Sequence, residues 1–513
     1  MNPETRIALD YIQSSQSEEE VERFLKAFLP GTPYANKTHA VGGYVRDQYL
    51  RLLKNDPKIE AKDLDIVVDM KDGAEKLTHY IYEQLEEKES VSQPRQLGKG
   101  YPIWQITFKE DIKYKGETYK TKGAVVEFAD TMKESYPDPE SRQRKTEPGT
   151  LKEDIERRDF TVNQMLKDLT TGEFEDLTGV SKEDIKKGVL RGHPNVPLDK
   201  MFNNDPLRML RLFRFSIKYD WDIPMAVLRA VKRNAERITI VSSERIMGEL
   251  EKIMKLGKLS RAIKLMSATG LLKHILPEVE ALKGVKQRED YHSEGDVYRH
   301  TLMVLKNAPP GVENQIAALL HDVGKPATTK LIEDKITSKG HEDVGADMAE
   351  AIMKRLKFDN DATERVKKMV KNHMRAHSLG RASGPKAIRK FIRDVGDELI
   401  DAVLYLAEAD ELGKIPATHD IPDLRKRIDE IKKETPKITK EPVLNGTEIM
   451  ELLGIPTGPE VGRAKKILIE LEDDYAEKGK TLTKDDARQE LVKEFHKKAS
   501  IADVLRNISS LIF

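Results

Sequence analysis

The chain has no cysteine among its 513 residues. That excludes disulfides, thiol nucleophiles and Cys-ligated zinc, so any metal must rest on His, Asp or Glu. Charge of one sign is also missing, because 88 Lys and Arg balance 88 Asp and Glu. Net charge therefore points to no partner, and any basic surface has to be local. Aromatic residues are few, 6% of the chain against 34% charged, a composition that favours helices. No run approaches the roughly 18 apolar residues of a membrane-spanning helix. The opening MNPETRIALDYIQSSQSEEE lacks the basic-then-apolar order of a signal peptide. These absences predict a soluble cytoplasmic protein with no membrane partner, and the length predicts about three or four domains.

What is present divides in two. Residues 30–195 mix β-like runs, LDIVVDM, IWQITF and AVVEFA, with helical stretches such as AEKLTHYIYEQLEEK, as an α/β head with a mixed sheet would. From residue 196 onward apolar residues recur at three and four, in DPLRMLRLFRFSIKY, SERIMGELEKIMKL and LSRAIKLMSATGLLKHI, so the rest is expected to be all-α. Two stretches read as joints, 282–296 and 432–446.

The stretch HAVGGYVRDQYL (39–50) removes side chains at Gly42 and Gly43 and puts Arg46 one helical turn later. If THAVGG ends a strand and YVRDQYLRLL follows as a helix, bare N–H groups meet a helix N-terminus, a corner that attracts phosphate. An ordinary strand-to-helix turn would use the same glycines. In AKDLDIVVDM the two-residue strand period sets Asp63 and Asp65 on one face and Leu64 and Ile66 on the other. Two carboxylates about 6 to 7 Å apart along a strand can share divalent metals; a polar strand end is the plainer reading. Phosphate corner and carboxylate pair together are the parts that nucleotidyl transfer requires.

GGYVRD followed by DLDIVV resembles the polymerase-β-like nucleotidyltransferases, in the class II branch of tRNA CCA-adding enzymes and bacterial poly(A) polymerases. EDIERRDFTVNQM (153–165), NDPLRMLRLFRF (204–215) and SSERIMGELEKIM (242–254) follow in that family's order. The resemblance implies magnesium on Asp63 and Asp65, and nucleotide contacts from Gly42, Gly43, Arg46, Arg158, Asp159 and Asn163, with Asp159 accepting from a ribose 2′-hydroxyl. It makes Asp205 and Arg208 a protein template that reads cytosine and adenine. Their spacing of three puts them on one face of a helix expected to begin at Asp205, where Arg211 and Arg214 continue the row toward phosphate or RNA. Two departures stand out: Asn204 replaces a more usual acidic residue, and Glu127, a possible third carboxylate, lacks the arginine expected after it. Glu244 and Arg245 are read as structural.

A second constellation lies in the C-terminal half. AALLHDVGKPATT carries His321-Asp322, accompanied by His300, His341, His373 and Asp410, and imidazole with carboxylate suits first-row divalent metals. The order is similar to the HD phosphohydrolase domain. That resemblance implies a first metal on His300, His321, Asp322 and Asp410 and a second on His341 and His373, with manganese, nickel, cobalt, iron or magnesium as the ion and Lys325 holding phosphate. His292 and His377 fit no slot in it.

The expected organisation is a nucleotidyltransferase head (30–195), a helical neck and body with the base-reading motif (196–284), an HD domain (285–436) and a helical tail (437–513). In the tail Lys465 and Lys466 follow a Pro/Gly turn that can grip RNA, though a plain helical hairpin fits equally. The implied activity is template-independent CCA addition from CTP and ATP to tRNA, with hydrolysis of phosphate esters or 2′,3′-cyclic phosphates by the HD domain. A poly(A) polymerase and a CC-only or A-only enzyme share these motifs. An inactive head on a phosphohydrolase or RNA-binding module is the alternative of another class, against which the intact carboxylates count.

Overall fold

β-Branched and aromatic residues crowd short runs between residues 38 and 175, and these pair into a seven-stranded sheet and two separate two-stranded ribbons, 112–119 and 132–135 with 145–148. The structure is a computed structural model describing residues 3–98, 103–136, 145–288, 290, 292–333, 335–379, 383–434 and 441–509, with side chains from 16 to 496 apart from 434. Contacts divide it into two units, Met1–Ile253 with Arg261–Ile275 and Met254–Ser260 with Leu276–Phe513.

The first unit opens with helix α1 (Pro3–Phe28). Strand β1 (Thr38–Val41) leads into α2 (Gly43–Lys54), and β2 (Asp65–Val68) into α3 (Gly73–Gln84). The sheet continues with β3 (Arg95–Leu97), β4 (Ile103–Thr107) and β5 (Val125–Asp130); α4 (Leu151–Glu156) precedes β6 (Leu166–Asp168) and β7 (Phe174–Glu175). Its order is β7-β6-β1-β2-β5-β4-β3, with β2 and β5 parallel and β1 antiparallel to β2. Thr150 and Glu153 form a capping box that starts α4. Ile155 of that helix packs with Val41, Val67 and Leu166 of the sheet, which fixes the following Arg157-Arg158-Asp159 beside the strand ends. Three further helices, α5 (Leu198–Asn204), α6 (Arg208–Tyr219) and α7 (Ser243–Met254), complete the part that carries the motifs. α6 buries Met209, Leu210, Leu212, Phe213, Phe215 and Ile217, while Arg208, Arg211 and Arg214 are only partly buried.

The second unit is built on α8 (Val297–Asn307), α9 (Val312–Leu320), α10 (His341–Arg355), α11 (Asn360–Ser378), α12 (Pro385–Val395), α13 (Asp397–Gly413) and α14 (Ile421–Glu434). α10 packs on α11, α8 on α13, and α9 against both α11 and α13. Gln315 to Leu320 of α9 are all buried, as a helix at the centre of a bundle must be. Helices α15 (Gly446–Leu453), α16 (Pro459–Glu477) and α17 (Lys484–Ser509) gather around Leu444, Ile449, Leu468 and Leu491.

Two expectations change. The region after residue 196 is not purely helical: β8 (Lys330–Ile332) and β9 (Lys335–Thr337) form an antiparallel hairpin that pairs Lys330 with Thr337, Leu331 with Ile336 and Ile332 with Lys335. The stretch 282–296 is no open joint, since the Asp296 carboxylate accepts from Gly284 N and Arg299 N and Val297 N donates to Val285 O. Of the joint expected at 432–446, residues 435–440 lie outside the described residues. Among the described residues no helix is long and apolar enough to cross a membrane.

Candidate active sites

Gly42 caps α2 with φ +78° and ψ −139°, a conformation that suits glycine alone. With no side chain to cap the helix, the first N–H groups of α2 stay available. A Cβ here would sit 3.8 Å from both Asp65 Oδ2 and Arg158 Nη1, so corner, carboxylate and guanidinium face one small space. Asp63 and Asp65 are exposed while Leu64 and Ile66 are buried, the division of faces expected. The backbone route differs: β2 starts at Asp65, and Asp63 precedes it as a left-handed turn residue, φ +61°. Behind this turn the Glu18 carboxylate of α1 accepts from Leu64 N at 3.2 Å. Burial, reinforced by Asp63 and Asp65, lifts the Glu18 carboxyl to about 7.

Glu127 stands directly opposite Asp65 in the parallel register of β2 and β5. Surrounding protein strips hydration from Asp65 and, with the charges of Glu127 and Asp63 added, raises its carboxyl to about 6 against the pull of Arg158. Carboxylates that repel one another at an exposed corner fit a divalent cation, which supplies the missing opposite charge.

Arg46 differs from the expected phosphate-facing cation. It is 4% exposed and bonds Asp47 (2.8 and 2.7 Å), Asn163 Oδ1 (2.6 Å) and the Tyr219 hydroxyl (2.5 Å), so its charge is spent inside the fold. Gly43 lies over this guanidinium, 3.4 Å from its Nη2 to an added Cβ. From Asn163 the network continues, its Nδ2 donating to Asp159 Oδ1 at 2.8 Å. Asp159 Oδ1 also accepts from Phe160 N, and Oδ2 from Arg211 Nε and Nη2. Burial alone would raise the Asp159 carboxyl, but Arg211, Asn163 and Arg208 hold it well below the carboxylate range. All four acceptor positions of Asp159 are therefore filled.

α6 begins at Arg208, not at Asp205, which is extended at φ −138° and accepts from Leu207 N at 3.3 Å. Asp205 faces Arg245 at 3.2 Å, and Arg208 donates to Met201 O and Arg157 O. Arg245, read from sequence as structural, thus meets the base-reading carboxylate. Arg214 is turned inward, paired with Glu249 at 2.5 Å over the Phe215 ring, and does not continue an open basic row. Asp47 sat within the quoted motif, but nothing local in the sequence marked Tyr219, whose hydroxyl returns to Asp47 from 172 residues away.

In the second unit, His300 comes from α8, His321 and Asp322 from the end of α9, His341 from the start of α10, His373 from α11 and Asp410 from α13. Donor atoms of His300, His321 and Asp410 lie within 4.8 Å of one another, and so do those of Asp322, His341 and His373. The Nδ1 atoms of His321, His341 and His373 bond the carbonyls of Ala318, Ser338 and Val370, which assigns the proton to Nδ1 and the lone pair to Nε2. Buried His321 Nε2 has no hydrogen-bond partner, and the Nε2 atoms of His341 and His373 face each other at 3.3 Å. His341 Nε2 also lies 3.2 Å from Asp322 Oδ1, so these nitrogens and the carboxylate converge on one small space. The donor set therefore fits divalent metal.

Burial disfavours charge on His300, yet Asp410 and Glu294 prevail and raise it to about 9. Burial and the neighbouring His321 and His341 keep His373 well below the usual imidazole range. Gly324 permits the close approach of the His321-Asp322 turn to α10, since a Cβ would fall 2.3 Å from His341 O. His292 and His377 both join the site. His377 Nε2 lies 2.7 Å from Asp410 Oδ2, and His292 Nδ1 the same distance from Glu294 Oε1. Lys325 reaches Asp322 and Gln287, each at 2.7 Å. A cavity of about 780 Å³ opens over the cluster, with Lys325, Lys335, Lys339, Lys414 and Arg288 among its lining.

Comparison with known proteins follows the same division. The poly A polymerase head domain matches residues 38–191, a probable RNA-binding site of polymerase A residues 221–283, and the HD domain residues 297–415. The CC-adding tRNA nucleotidyltransferase of Thermus thermophilus is 32% identical over 353 residues, 66% of this chain and 76% of that protein. The chain belongs to the tRNA nucleotidyltransferase and poly(A) polymerase family. A multifunctional CCA protein of Chromobacterium violaceum is 35% identical over 235 residues, and the chain spans 55% of its length. The CCA-adding enzyme of Bacillus stearothermophilus, solved with CTP, shares the fold at a TM-score of 0.58 and 20% identity, over 90% of this chain and 94% of that one. In this tRNA nucleotidyltransferase-family chain the motif-bearing residues of the head and neck fall in one unit and the HD residues in the other.

Proposed function

We propose that the chain adds CCA to tRNA 3′ ends from CTP and ATP without a nucleic-acid template, in the cytoplasm, and that its HD domain hydrolyses phosphate esters or 2′,3′-cyclic phosphates at RNA ends. The segments doing this are the head (30–195), neck (196–284), HD domain (285–436) and RNA-binding tail (437–513). The carrying observation is the side-chain-free corner at Gly42 facing Asp65 Oδ2 and Arg158 Nη1.

In this reading the tRNA 3′-oxygen attacks the α-phosphorus and pyrophosphate leaves along α2. Asp63 and Asp65, with Glu127, would hold magnesium, which supplies charge to activate the hydroxyl and neutralise the triphosphate. Gly42 and Gly43 admit the phosphates to the N–H groups of α2, and Arg158 offers Nη1 to a phosphate oxygen. Arg46 positions Asn163, and Asp159 positions Arg211; a ribose 2′-hydroxyl enters by replacing one of the four bonds on Asp159. Asp205 accepts from, and Arg208 donates to, the edge of cytosine or adenine once Arg245 and the two carbonyls are exchanged for the base. At the HD site a manganese, nickel, cobalt, iron or magnesium ion would be held by His300, His321, Asp322 and Asp410, and a second by His341 and His373 with Asp322.

The test supplies tRNA ending at the discriminator base, at C or at CC with CTP and ATP singly and together, and sequences the 3′ ends. Addition of CCA followed by arrest is expected. Arrest at CC with both nucleotides present selects the second reading, favoured by the CC-adding relative, and a long A tail selects a poly(A) polymerase. No incorporation on any end overturns the reading of the head.

A further inference from the structure

Beside the six HD residues lies a seventh buried group that the metal-ligand reading leaves unused, the carboxylate of Glu294, its side chain 1% exposed. It stands ahead of α8, in the stretch that sequence alone marks as a joint. Its two oxygens are fixed separately. Oε2 accepts from Ile415 N at 3.0 Å, while Ser293 returns its own N and Oγ to Ile415 O at 3.1 and 2.9 Å. That reciprocal clasp ties the approach to α8 to the chain leaving α13. It leaves Oε1 beneath two imidazoles, 2.7 Å from His292 Nδ1 and 3.0 Å from His300 Nδ1.

His300 has only two ring nitrogens, and both are accounted for. Nε2 points at Asp410 Oδ1, 2.8 Å away, and belongs to the group of donors with His321 and Asp410. Nδ1 faces Glu294 and, more distantly, Gly413 O at 3.3 Å. A carboxylate on one nitrogen of a metal-binding imidazole fixes the tautomer, stops ring rotation and makes the other nitrogen a better donor. His321 and His373 have only a neutral carbonyl in that place, and His341 has the Ser338 carbonyl at 2.9 Å with the partly exposed Glu342 carboxylate further off at 3.4 Å. Of these four histidines, His300 is thus the one whose Nδ1 meets a buried carboxylate at hydrogen-bonding distance.

We propose that Glu294 is a positioning residue for the HD metal centre, acting through His300 Nδ1 to orient and strengthen Nε2 as a metal ligand, with His292 holding the carboxylate in place from its other side. The inference rests on the reading of His300 as a ligand.

The test titrates metal-free full-length chain with Co2+, following visible absorption and the dissociation constant. Asp63→Ala and Asp65→Ala are included throughout so that the signal comes from the second unit. Glu294→Gln keeps the shape and is expected to weaken Co2+ binding about tenfold, and Glu294→Ala about 10- to 100-fold, with altered absorption bands and little change in metal-free melting temperature. In a His300→Ala background, Glu294→Gln should have no further effect, a result that a merely structural role would not give. Co2+ affinity in Glu294→Gln equal to the parent overturns the proposal even if Glu294→Ala fails to fold. So does an undiminished effect of Glu294→Gln without His300. Failure of the parent itself to bind Co2+ overturns the metal-centre reading first, and is told apart because it appears with Glu294 intact.

Discussion

At the scale of single residues, the head turns on which charges are free and which are already matched. Asp65, with its carboxyl raised to about 6, keeps its proton to higher pH than an ordinary aspartate. A protonated carboxyl holds no cation, so apparent Mg2+ affinity in nucleotide incorporation is expected to be constant above neutrality and to fall as pH drops through about 6. The HD site titrates on the other side of neutrality. His300, raised to about 9, carries a proton at pH 7 that an arriving metal must displace. Calorimetry in buffers of different ionisation enthalpy should register about one proton released per ion bound there. Asn163 joins Arg46 to Asp159 by one hydrogen bond on each side. Asn163→Ala should reduce kcat/KM for incorporation roughly 10²-fold through misplacement of both neighbours, with tRNA affinity unchanged in a filter-binding assay.

Among the elements, those with strong local periodicity were legible in the sequence and those made by distant pairing were not. The continuous apolar run IVV marked β2, the alternating VVEFA marked β5, and the apolar spacing of RMLRLFRFSIKY marked α6. The direct opposition of Asp65 and Glu127 depends on a parallel register between strands some 60 residues apart, for which no local signal exists. The same holds for Tyr219 on Arg46 and for Glu294 under His300. Sequence also overestimated the open cations: Arg46 and Arg214 stand at motif positions, yet each meets a carboxylate from the fold itself. The clearest element-scale contact in the second unit joins α12 to α16, where Arg389 and Arg393 are buried against Asp473. Asp473→Ala removes both carboxylate bonds of buried Arg393, while Arg389 keeps its bond to the Asp473 carbonyl, and should cost about 3–5 kcal/mol. Removal of the more exposed Lys465–Glu441 pair should stay within about 1 kcal/mol. Urea unfolding with hydrogen exchange along α16 separates the two.

On the scale of the whole molecule, the division into two contact units predicts that the chemistries can be removed one at a time. Asp63→Ala is expected to abolish incorporation and leave phosphate-ester hydrolysis intact, and His321→Ala with Asp322→Ala to do the reverse, with both rates measured on one preparation. Metal at 100 times its dissociation constant should stabilise the second unit by about 2.7 kcal/mol, seen as one shifted transition in calorimetry while the other stays in place. The β8–β9 hairpin beside the HD cavity has a further consequence when set against the missing cysteines. Leu331 in the middle of β8 is 69% exposed, and Ile332 next to it lines the cavity. Because the chain contains no native thiol, Leu331→Cys would accept one fluorophore at one defined place. Its brightness would then report, in real time and without a radiolabel, whether an RNA end has entered the HD cavity.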